Sequence, residues 1–226
     1  LHRNFISSFL NPFFIMKVFS VFPTIALIGL FSPHLFAQND QSNQSRKNQP
    51  VKHLYLDVHH VGPGKVAAKD AAGAHQKDLA IQNKYGVNFI KYWVDEANGN
   101  IYCLAEAADS QSIRKAHAEA HGLAPDQVQL VTGGEEASIK GKKDLYLDLH
   151  IIGAGKVNAS AVAGAHQKDL AVQEKHGVSF INYWVDEKNG TIMCLAQAPH
   201  ADSVINAHKE AHGLVPVKVD KVKQGQ

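Results

Sequence analysis

His117 and His121 stand four residues apart in a segment of helical character, so their imidazoles share one face and can bind a single metal ion. Glu119 between them lies on another face, and the order His-x-Glu-x-His is not the His-Glu-x-x-His of zinc proteases. An isolated pair has a structural explanation, because histidines near a helix C-terminus complement its dipole. This pair has company. His59 sits in an alternating strand pattern, His75 and Asp78 are three apart in an earlier helical segment, and Cys103 falls in a run of strand formers. Imidazole, carboxylate and thiol together form a borderline donor set that suits Zn, Ni, Cu or Fe better than Ca or Mg.

All six positions recur 91 residues later, as His150, His166, Asp169, Cys194, His208 and His212. The offset holds without an insertion. Leu54-Tyr-Leu-Asp-Val-His59 returns as Leu145-Tyr-Leu-Asp-Leu-His150, Ala74-His-Gln-Lys-Asp-Leu-Ala80 as 165–171, Tyr92-Trp-Val-Asp-Glu96 as 183–187, and His117-Ala-Glu-Ala-His-Gly-Leu123 as His208-Lys-Glu-Ala-His-Gly-Leu214. Two copies of one domain follow, residues 53–131 and 144–222, joined by a polar, glycine-bearing linker over 132–143. Cys103 and Cys194 occupy equivalent strand positions, and a disulfide, buried thiols or metal thiolates are three open states for them. His176 and His200 have no histidine counterpart in the first copy and read as surface residues.

The elements that must position these groups follow from periodicity. Leu54, Leu56 and Val58 alternate with Tyr55, Asp57 and His59, which predicts a half-buried strand with one apolar face and one bearing chemistry. Gly-Pro-Gly at 62–64 leads to a helix over Val66–Tyr85, closed by Gly86. Val87–Asp95 and Asn100–Ala107 are strands joined through Asn98-Gly99, a strong hairpin signal. Asp109 or Ser110 caps a helix through His121 that Gly122 ends, and Val128–Val131 is a last strand. The order β-α-β-β-α-β is the α+β, ferredoxin-like split βαβ pattern, in which both helices cover one sheet face. Two tethered copies can bury their open faces against each other as a pseudo-dimeric α+β sandwich or barrel. The face carrying Tyr55, Asp57 and His59 is then expected to line the space between the copies.

Composition bounds the partners. The 226 residues are 45% hydrophobic and 19% charged, which describes a globular chain and excludes coiled-coil, collagenous or wholly disordered architectures. Residues 1–37 hold two of the 23 basic side chains and none of the 21 acidic ones, so the remainder is neutral and lacks the basic footprint of a nucleic-acid or anionic-membrane binder. Met16-Lys17, the apolar run Val18–Phe31 and Ser32–Ala37 read as a signal peptide cleaved after Ala37, preceded by an upstream segment. The apolar run is too short and too interrupted by Pro23 for a stable membrane anchor. Residues 38–52 read as a disordered polar spacer, and the mature protein is expected in the periplasm or outside the cell. No phosphate loop, serine nucleophile elbow or acidic dyad appears.

Taken in order, Tyr-Leu-Asp-x-His, Ala-His-Gln-Lys-Asp-Leu-Ala, Tyr-Trp-Val-Asp-Glu-x-Asn-Gly, Cys-Leu-Ala and Ala-His-x-Glu-Ala-His-Gly-Leu resemble the nickel-binding ferredoxin-like family of small bacterial proteins. The resemblance covers nearly all of both copies. It implies single domains that pair through their sheets and bind nickel through histidines and acidic groups. Carried over by position, those groups are His59 and His150, His75 with Asp78, His166 with Asp169, and His117 and His208 with His121 and His212 close behind. Where the family often has Glu after the Cys-Leu strand, this chain has Glu106 but Gln197. The expected function is an exported protein binding nickel, or another divalent transition metal such as zinc or copper. The alternative is an α+β-barrel enzyme, of oxygenase or isomerase type, with a pocket between the copies.

Overall fold

The computed structural model describes residues 50–134 and 136–226. The signal-peptide reading, and the spacer before Pro50, lie outside the described residues. No helix among them is long and apolar enough to cross a membrane.

The first repeat runs β1 (His53–His60), α1 (Ala68–Ile81), β2 (Asn88–Asp95), β3 (Asn100–Ala107), α2 (Ser110–His121) and β4 (Gln127–Leu130), followed by the two-residue β5 (Thr132–Gly133). The second runs β6 (Asp144–Ile151), α3 (Ala159–Val172), β7 (Ser179–Asp186), β8 (Thr191–Ala198), α4 (Ala201–Ala211) and β9 (Lys218–Gly225). The helix predicted over Val66–Tyr85 starts two residues later, and its last turn, Gln82–Tyr85, tightens to a 3-10 turn. Gly86 closes it in the left-handed region at φ +64°. Asp109 caps α2 by accepting from Ser112 N–H at 2.8 Å. At the β2–β3 hairpin, Gly99 has φ +71°, and a Cβ there would lie 1.8 Å from the Gly62 carbonyl oxygen, so the turn is restricted to glycine twice over.

The strands form one sheet in the order β4-β1-β3-β2-β9-β6-β8-β7-β5. Its two ends, β4 and β5, are separated in the chain only by Val131, so the sheet returns on itself. Each repeat lends its last strand to the other. β9 pairs with β6 through Leu145–Leu149 and then with Tyr92–Val94 of β2. β4 pairs with Tyr55–Val58 of β1, and the chain continues as β5 beside Trp184 and Val185 of β7. The segment expected to be a linker therefore opens as strand, and Gly134 and Ala137 N–H still donate to the Tyr183 and Ile181 carbonyls.

The faces of β1 are reversed relative to expectation. Leu56 and Val58 join Trp93, Tyr102, Leu104, Leu147, Trp184, Met193, Leu195 and Val222 in a core shared by both repeats. Trp93 and Trp184 meet there with ring centroids 4.9 Å apart, so indoles fill the middle of the shared core. Tyr55, Asp57 and His59 lie on the opposite face, under α1 and α2, and the strand is buried on both sides. The physical reason is that two apolar faces gain most by removing each other from water, at about 25 cal/mol per Å². The polar face can be buried only where other polar groups meet it, and the helices supply them.

Candidate metal centre

β1 and β3 form the floor of the centre and α1 and α2 its roof. Register pairs Asp57 with Cys103, and two residues on, His59 points to the same side. From above, α1 brings down His75 and Asp78, and α2 brings down His117, all buried, with His121 at the helix end. A small cavity of about 40 Å³ is walled by His59, His75, Asp78, Cys103, His117 and His121. Its counterpart of about 30 Å³ is walled by His150, His166, Asp169, Cys194, His208 and His212. The six predicted positions thus converge in each repeat, inside the repeat and not between the two.

Donor atoms of Asp57, His59, Cys103 and His117 lie within 4.8 Å of one another, as do those of Asp78, His117 and His121. The same two groups recur around His208. His117 joins them: its Nε2 is 3.3 Å from Asp57 Oδ2, and its Nδ1 is 3.0 Å from Asp78 Oδ1 and 3.1 Å from His121 Nε2. His75 stands outside both tight groups on the cavity wall, its ring 4.9 Å from that of Tyr92. His59 packs edge-on against His117 at 4.9 Å.

Asp57 and Asp148 escaped the sequence reading of the site. Each has no solvent exposure and contacts two of the site histidines. Their signal was an acid at an inward position of an otherwise apolar strand, present in both copies.

Electrostatics follow from this packing. Burial opposes ionisation of Asp57, but hydrogen bonds from His117 and His59 outweigh it and hold the carboxyl below its usual range. Asp78 is held low in the same way by His117 and His121. Burial also disfavours the His117 cation, yet its bonds to Asp57 and Asp78 prevail and raise it to about 9. His208 reaches about 9 for the same reasons, between Asp148 and Asp169. His75 goes the other way, lowered chiefly by burial, and is neutral at pH 7. Cys103 and Cys194 are free and buried, each in its own centre. Burial first, and then the neighbouring aspartates, push both thiols well up and favour the protonated form; lying in separate centres, the two cysteines are not bridged to each other.

Two buried nitrogens of the first centre, His59 Nδ1 and His75 Nε2, lack a hydrogen-bond partner. Such orphans cost roughly 1–3 kcal/mol each unless something binds them. Imidazole nitrogens, carboxylates and one thiol around a small cavity fit a divalent transition-metal ion. Glu106 and Gln197 take no part. Glu106 accepts from Asn88 Nδ2 at 3.1 Å, and buried Gln197 accepts from Lys140 N–H at 2.7 Å, tying down the segment between the repeats. His176 sits on the surface beside Glu210, and His200 is exposed.

Comparison with known proteins matches a family model described as nickel responsive protein SCO4226-like to residues 55–131 and again to 146–222. Among solved structures, SCO4226 from Streptomyces coelicolor A3(2) is 32% identical over 36% of this chain and 99% of that one, with a TM-score of 0.34. A mutant chlorite dismutase from Candidatus Nitrospira defluvii is 5% identical over 76% of this chain and 90% of its own, at 0.44. A heme-binding protein from Thermus thermophilus is 8% identical over 78% of this chain and 91% of its own, at 0.38. No curated protein sequence matches the chain.

Proposed function

We propose, from the premise that the chain belongs to the SCO4226-like nickel-responsive family in two tandem copies, that each repeat binds a divalent transition-metal ion, nickel foremost, inside its own cavity. The observation that carries this reading is the pair of small cavities, each walled by four histidines, one aspartate and one cysteine, with unpartnered nitrogens on His59 and His75 in the first.

His59, His75, Asp78, His117 and His121 would hold the ion in the first repeat, and His150, His166, Asp169, His208 and His212 in the second. Asp57 and Asp148 lie behind these ligands. A carboxylate behind a ligating imidazole fixes the ring's orientation and raises its basicity. Before loading, Asp57 and Asp78 face one imidazolium, so the first centre carries an excess of negative charge that favours a cation. His117 must give up its proton to ligate, and loading is coupled to proton release.

The leader read at Met16–Ala37 supports a further proposal, that the metal is bound outside the cytoplasm. Amino-terminal sequencing of the protein from a periplasmic fraction tests it, with Gln38 as the expected first residue.

The main reading is tested by elemental mass spectrometry and calorimetry on untagged protein titrated with nickel, zinc and copper. At least one ion per repeat is expected, and His117→Ala with His208→Ala together should abolish tight binding. Full-strength nickel uptake by that double variant would overturn the assignment.

A further inference from the structure

The two seams where the repeats exchange strands are built from equivalent positions but closed differently. At the β9 seam, Lys223 Nζ reaches Glu96 Oε2 at 2.6 Å, Tyr102 donates to Asp220 at 3.0 Å, and Asn98 Nδ2 lies 3.4 Å from the same carboxylate. These three links cross from one repeat to the other and draw the β2–β3 hairpin against β9. At the β4–β5 seam the counterparts are Thr132 for Lys223, Gln129 for Asp220 and Met193 for Tyr102; the ion pair and the phenol bond have no donor there, and Asn189, the counterpart of Asn98, makes no bond to Gln129.

The consequence is a groove. Residues Val128–Thr132 on one side and Val185–Asn189 on the other enclose about 620 Å³, against about 340 Å³ at the β9 seam. Among the described residues no strand lies along the outer edge of β4, which is one end of the sheet order. Glu187 accepts from Ala159 N–H at 2.6 Å, as Glu96 does from Ala68 N–H at 2.7 Å, but lacks the ammonium that Glu96 holds. Leu130 is half exposed on the groove wall.

The geometry points to a peptide-docking site: an extended segment of a partner protein adds to the free edge of β4 and presents a Lys or Arg to Glu187. Main-chain pairing along β4 supplies affinity, as in strand addition generally. The basic side chain supplies register, because it occupies the place that Lys223 takes at the sister seam. An apolar residue two positions away along the same face meets Leu130.

The test uses the full chain and dye-labelled heptapeptides of alternating Thr and Val, with one Lys moved through every position, read by fluorescence anisotropy. At least one register is expected to bind with micromolar affinity, and Lys→Glu in that peptide should weaken it by about tenfold or more. Thr132→Lys, which restores the sister ion pair from within, should weaken it as much, as should Glu187→Gln. On binding, amide hydrogen exchange at Gln127–Leu130 should slow. Failure of every register to bind below about 1 mM, or unchanged binding by Thr132→Lys and Glu187→Gln, would overturn the site.

Discussion

His117 Nε2 lies 3.3 Å from Oδ2 of Asp57, and both side chains are sealed from solvent. The contact spans 60 residues of sequence and joins a strand to the helix above it. His208 and Asp148 repeat it at 3.3 Å. The stability of the centre, and the metal affinity proposed for it, are both expected to depend on this pair.

Asp57→Ala should leave the His117 cation buried with one carboxylate fewer, a loss of about 3–5 kcal/mol by analogy with other broken buried pairs. Nickel affinity of the first repeat should fall by roughly 10- to 100-fold, as on removal of a carboxylate behind a ligating histidine. Thermal denaturation and calorimetry read the two effects, and an unchanged isotherm would show that Asp57 does not serve the metal.

If the proposed site is filled, protons should compete with the metal well above the ordinary histidine range. His117 and His208 titrate at about 9 without metal, so nickel binding at pH 7 should release close to one proton per repeat and tighten steadily up to pH 9. Calorimetry in buffers of differing ionisation enthalpy measures the release directly.

The metal-free protein should show the same groups in its stability. A histidine raised from 6.5 to about 9 contributes fully below pH 6.5 and loses its contribution as pH rises through 9. Asp57 and Asp78, held below 3.8, contribute above that value and lose it as pH falls through their folded range. His75 and His212, lowered chiefly by burial, run the other way and lose their contribution as pH falls below 6.5, so the melting temperature should peak near pH 6.5 and decline both toward pH 9 and toward acid. A flat profile from 6.5 to 9 would remove the charged His117 from the account.

Cys103 and Cys194 should resist maleimide in the native protein and both react after unfolding, because burial keeps them as thiols out of reach. Non-reducing mass spectrometry should find two free thiols and no bridge.

Trp184→Ala should cost about 3–5 kcal/mol, since the indole packs against Trp93 in the core that both repeats share. Wild-type unfolding should be a single transition by both near-UV dichroism and calorimetry, without a phase for either repeat alone.

Local features were legible in the chain. Asp109 and Gly122 bound α2 as their capping chemistry requires, and Asn98-Gly99 makes its hairpin. The six paired positions were found from residue type and recurrence alone. The side of the sheet they occupy was not, because alternation separates two faces without saying which meets the other repeat. Asp57 was missed for the same reason: its role appears only when α2 sets His117 over it. β5 was hidden because two residues carry no periodicity, and Thr132 and Gly133 become strand only by lying along Val185 and Trp184.

The exchange of terminal strands also bears on how such a protein can diversify. A ring assembled from two identical chains must keep its two sides alike, since every substitution appears twice, and it falls apart on dilution. One chain that carries both halves holds them at an effective concentration independent of expression level. It is also free to alter one side alone, and the contrast between Thr132 and Lys223 is a change that only the fused form can make.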